Sequence, residues 1–111
     1  MQKEQIEQLV VSLSAEVNNG GFDQFFFNSA ADRTPQIIEA LELIGASKTA
    51  DIVKRAAAKF PDGMPPMERA KRQNILLDQV SPEADAFKEL DEEFYAGSEN
   101  LSELVQKYVS G

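Results

Sequence analysis

Cysteine and histidine are both absent from this sequence of 111 residues. Without cysteine there is no disulfide, no thiolate zinc site and no cysteine nucleophile; without histidine the commonest general base and the commonest metal ligand are missing. Long apolar runs are lacking too. The opening MQKEQIEQL has neither a signal-peptide core nor the roughly 20 apolar residues that cross a bilayer, so a cytoplasmic location away from membranes is expected. Carboxylates abound, but none is tied by spacing to a nucleophile, a phosphate loop or a metal-ligand pattern, and Asp62-Gly63 lacks the further ligands of a calcium loop. The expectation is a protein that is not an enzyme, with no catalytic residues, no metal and no cofactor.

What is present is globular composition, 42% apolar and 27% charged, in a chain long enough for one core and too short for two. A single domain over residues 1–111 follows. Nineteen acids against eleven bases give a net charge of -8, which disfavours direct binding to nucleic acid and suits a basic protein partner. The charge is uneven: residues 1–42 carry seven acids and two bases, residues 43–82 four acids and seven bases, and residues 83–111 eight acids and two bases. Two acidic ends flank a basic middle.

The chain is organised around Asn18 to Ala46, which holds the tightest turn, four of the seven phenylalanines and the most apolar helix. Before it, Ile6, Leu9, Val10, Leu13 and Val17 mark one buried stripe of a helix over Gln2 to Val17. Asn18-Asn19-Gly20-Gly21 tolerates positive φ and ends that helix. A short aromatic helix from Phe22 to about Ala30 follows, with Phe25 and Phe26 on the side of Phe22 and Phe27 pointing away. Thr34-Pro35 is a cap-plus-proline start and Gly45 a stop; between them Ile37, Ile38, Ala40, Leu41, Leu43 and Ile44 make a central helix over residues 35–44, contacted from several directions. Ser47 opens a helix to about Phe60 with Lys54, Arg55 and Lys59 as a basic patch on its outer side. Pro61 to Pro66 is a loop. Met67 to Val80 is helical, with Ala70, Leu76, Leu77 and Val80 inward and Arg69, Lys71 and Arg72 outward. Ser81-Pro82 starts an amphipathic helix over Glu83 to Tyr95 that buries Phe87, Leu90 and Phe94, and Leu101, Leu104, Val105 and Tyr108 mark a last helix. No run alternates as a strand does. The fold class is all-α, six or seven helices packed around the central apolar one.

Glu16-x-Asn18-Asn19-Gly20-Gly21-Phe22-Asp23-Gln24-Phe25-Phe26-x-Asn28, then Ala40-Leu41-x-x-Ile44-Gly45-Ala46 and Ala56 to Pro61, resembles the bacterial DNA-mimic protein family. Further on, Leu90-Asp91-x-x-Phe94-Tyr95 resembles that family's closing pattern. The family is one of mostly unknown function whose named example is an acidic helical dimer that competes with DNA for DNA-binding proteins. The resemblance therefore implies an acidic interaction module that inhibits a basic DNA-binding or toxin protein, and a homodimer.

The residues offer two candidate sites. Asp85, Glu89, Glu92 and Glu93 share the face opposite Phe87, Leu90 and Phe94 and form an acidic ridge for a basic partner. Phe27, off the core side, is either a second core contact or an anchor for a partner or a second copy. The second site is a polar pocket around Asp23, Gln24 and Asn28, which would suit a small ligand-binding or enzymatic domain. A solvated helix face and hydrogen bonds within the fold are the plainer readings of the two, and a structural subunit is the third class of function.

Overall fold

The computed structural model describes residues 1–97 and 99–111. Helix α1 runs Lys3–Phe27 and is bent, because Gly20 (φ -152°, ψ 21°) and Gly21 (φ 72°, ψ -174°) leave helical geometry. Its first half buries Ile6, Leu9, Val10, Leu13 and Val17, and its second half Phe22, Phe25 and Phe26. The expected turn is thus narrower than four residues, and the aromatic segment stops at Phe27, not near Ala30, because Ser29–Arg33 winds into a 3-10 turn. The side chain of Thr34 points back into that turn, its hydroxyl donating to the Ala31 carbonyl at 2.8 Å, so Thr34 does not cap the next helix as expected.

Helix α2, Thr34–Leu43, has Pro35 in its first turn and buries Ile37, Ile38, Ala40 and Leu41, with Ile44 just beyond. Leu43 is the exception, facing solvent. Gly45 at φ 81° reverses the chain, and the Ala46 N–H returns to the Leu41 carbonyl at 2.8 Å. Helix α3, Ser47–Ala57, ends before Phe60, but the following turns still bury that ring. Helix α4, Arg69–Ile75, runs into a π-helical turn, Leu76–Val80. Its register is not the expected one. Ala70 and Leu77 are exposed, whereas Arg72 is fully buried beside Leu76.

Helix α5 covers Lys88–Ala96, five residues shorter at its start than the Ser-Pro signal suggests. The Ser81 hydroxyl oxygen accepts from the Ala86 N–H at 3.3 Å and Ala84 takes a positive φ of 56°, so residues 82–87 form a loop that swings Phe87 into the core. Helix α6, Leu101–Ser110, is capped by the Asn100 side chain, which accepts the Glu103 N–H at 3.0 Å. Among the described residues the architecture is all-α, a single compact domain of six α-helices with no strand.

α2 is flanked by α1, α3 and the 3-10 turn, but the helix that touches most neighbours is α1, which packs against α2, α4, α5 and α6. The bend explains this. It aims the second half of α1 into a cluster where Phe22 meets Phe94 at 5.9 Å and Phe26 meets Phe60 and Phe87 at 4.9 and 5.2 Å between ring centroids. Fully burying such a ring stabilises the fold by about 1.5–3 kcal/mol, so the cluster is the energetic centre of the core.

Candidate functional site

Two of the stretches that carry the family resemblance, Glu16 to Asn28 and Leu90 to Tyr95, lie against one another. Breaking α1 at Gly20 and Gly21 frees carbonyls at the end of its first half and N–H groups at the start of its second, and such groups need partners. Helix α5 supplies them from successive turns. The Asp91 carboxylate accepts the Phe22 N–H at 2.8 Å, and the Tyr95 hydroxyl donates to the Val17 carbonyl at 2.7 Å. Burial pushes the Asp91 carboxyl above its usual range, the Phe22 N–H opposes that shift, and neighbouring Asp23 adds to it.

On the other side of α1, Glu16 gathers the remaining amides. Its Oε2 accepts from Gln24 Nε2 at 2.9 Å and from Asn28 Nδ2 at 2.8 Å, and Asn19 Nδ2 donates to Gln24 Oε1 at 3.1 Å. Of the polar-pocket residues, Gln24 and Asn28 are brought together on Glu16, while Asp23 lies apart from them next to Asp91. Each amide gives one N–H to Glu16, so both brace the bend.

The acidic ridge is divided by the late start of α5. Glu89, Glu92 and Glu93 are on the helix and exposed; Asp85 precedes it in the loop. Glu93 is not free. Arg55 on α3 reaches across to it with two bonds, 2.9 and 2.6 Å, and also holds Asp51 at 2.9 Å. The hydrogen bond from Arg55 holds the Glu93 carboxyl below the usual range. Lys54 pairs with Glu42 at 2.7 Å, so two members of the expected basic patch are tied to carboxylates.

Residues 3–111 match the family described as DMP19-like protein. The chain belongs to that family. No curated protein and no solved structure matches it. A DMP19-like chain is, in general terms, a DNA-mimic-type protein-interaction module.

In this DMP19-like domain Phe27 projects from the last turn of α1, 41% exposed, while its carbonyl accepts from Gln73 Nε2 at 2.7 Å. Of the two expectations for this ring, core contact or exposed anchor, the exposed position is the one observed. No helix among the described residues is long and apolar enough to cross a membrane.

Arg72, expected on the outside, is the buried clamp of the fold. Its Nε donates to the Phe26 carbonyl at 2.7 Å, its Nη1 to the carbonyls of Pro66 and Met67, and its Nη2 to the Asn28 carbonyl at 2.8 Å and to Asp32 at 2.7 Å. A guanidinium has five N–H donors, and each here has an acceptor. The position of Arg72 four residues before Leu76 and eight before Val80 was the one sequence signal of an inward side chain. Glu99 was also missed. It caps α3 from a distant segment, accepting from the Thr49 N–H and hydroxyl at 2.8 Å each and from the Lys48 N–H at 3.2 Å.

Proposed function

We propose that this protein binds a basic, DNA-binding partner in the cytoplasm and inhibits it by occupying the surface that otherwise holds DNA, with no catalysis of its own. The observation that carries this reading is the family match over residues 3–111. The net charge of -8 supports it, as do the exposed carboxylates of Asp85, Glu89 and Glu92, which have no ion-pair partner among the described residues. Duplex DNA carries about one charge per 1.7 Å of axis. Eight acids and one base over residues 83–103, at about 1.5 Å per residue, give roughly one net charge per 4–5 Å. A second acidic element alongside is therefore required: Glu4 and Glu7 of α1, or the same ridge on a second copy brought in through Phe27.

A pull-down from native cytosol with the purified protein, followed by competition with a duplex, tests the reading. A basic partner from which the protein displaces DNA supports it. Simultaneous binding of duplex and protein to that partner sinks it. Neutralising Asp85, Glu89, Glu92 and Glu93 to amides should slow association at low salt and flatten its salt dependence, since charge complementarity acts mainly on the encounter rate.

A further inference from the structure

Helices α3 and α5 enclose an open groove of about 600 Å³ with three acids, Asp85, Glu89 and Glu93, and three bases, Arg55, Lys59 and Lys88, in its lining. The signs balance. The groove therefore attracts a basic partner less than the net charge of the whole chain suggests. Among the described residues one pair in the groove is closed, and it is closed with geometry suited to a ligand: the Arg55 guanidinium grips both oxygens of Glu93 in a two-bond fork, bridging 38 residues of sequence. Arg55 thus occupies Glu93 as an arginine of a partner would, and it shows which chemical group this carboxylate accepts. The pair is also exchangeable. Both side chains are nearly half exposed, 45% and 46%, and exposed ion pairs hold weakly against competitors. Arg55 keeps a second carboxylate, Asp51, one turn away on its own helix, to which it can remain bonded when Glu93 is taken.

We infer that Arg55 is an internal competitor for the acidic edge of α5: it masks Glu93 in the free protein and yields it to an arginine or lysine of a partner, swinging back onto Asp51. This rests on the acidic-edge reading above and adds the device that limits its affinity and discriminates against weakly basic surfaces. A partner must present enough positive charge to displace a guanidinium already in place.

The probe is an octalysine peptide, titrated at low salt into the intact protein by calorimetry. Arg55→Gln should bind it roughly two- to fivefold more tightly than wild type, the range set by the weakness of exposed pairs. The charge-matched control is Lys107→Gln, which frees Glu103 on α6, remote in sequence and on another helix. The gain must exceed that of the control and must vanish when Glu93→Gln is added to Arg55→Gln. A gain equal to the control, or one that survives loss of Glu93, overturns the inference. Should wild type bind the peptide and lose it on neutralising all four ridge acids, while Arg55→Gln shows no gain, the acidic edge stands and the masking falls. Binding by neither protein removes both.

Discussion

The Asp91 carboxylate lies over Gly21, so close that a Cβ on that glycine would sit 2.5 Å from Asp91 Oδ2. Gly21 also adopts φ 72° with ψ -174°, a combination essentially reserved for glycine. Two independent constraints, backbone and neighbour, therefore act on one residue. Gly21→Ala is expected to cost at least about 1–3 kcal/mol from the backbone conformation alone, read as a lowered midpoint in urea. Asp91→Ala removes the neighbour but not the backbone strain, so the double variant should lose less than the sum of the two single losses. Strict additivity would show that the carboxylate does not press on this glycine.

Arg72 is buried with all five donors satisfied, mostly by backbone carbonyls of α1 and the Pro66-Met67 loop. Arg72→Ala removes all of these bonds at once, leaving Asp32 only the longer contact to Arg69 at 3.8 Å and the Asn28 carbonyl only the Ala31 N–H at 3.3 Å, and a loss of about 3–5 kcal/mol is expected. Lysine should rescue little, because an ammonium has three donors and no planar fork. Denaturation of the lysine variant at the wild-type midpoint would refute the clamp.

Burial opposes ionisation of Glu99, but the N–H and hydroxyl of Thr49 and the Lys48 N–H outweigh it and hold the carboxyl below its usual range. A depressed folded-state value means that the stabilisation is fully present above the unfolded value and is lost as pH falls through the folded one. Glu99→Gln should therefore lower stability by about 0.3–1 kcal/mol at neutral pH, with the gap to wild type closing below about pH 4. A gap that is constant through the acid range would show that charge plays no part in this cap.

Phe27 stands 41% exposed at the end of α1. Phe27→Ser is expected to leave the helical circular dichroism signal intact and to lower the particle mass in light scattering, as removal of an anchor between two copies would. Unchanged mass would free this ring of a role in self-association.

The helical stripes were legible because burial repeats along a helix: Ile6, Leu9, Val10, Leu13 and Val17 are all in the core. Composition and periodicity likewise gave the all-α class. Relationships between distant segments left no such trace. Arg72 reads as a surface base because its acceptors, Phe26 and Asn28, lie 46 and 44 residues away. The start of α5 was misplaced because a Ser-Pro pair looks the same whether the helix begins at once or after the loop that Ser81 ties to Ala86. Asp85 accordingly lost its place on the helix. Nor did the acidic spacing in α5 reveal that one of its carboxylates would be held by Arg55 from α3.

The bend in α1 has a kinetic side. Phe22 receives its capping partner from a residue 69 positions later, and the same segment delivers Phe87 and Phe94 to the aromatic cluster. During synthesis, then, the phenylalanine-rich half of α1 emerges long before the α5 segment that completes its cover. Closing so long a loop is entropically slow, which places the docking of α5 late in folding. Until it arrives, the rings of Phe22 and Phe26 lack part of their cover and leave the nascent chain adhesive there.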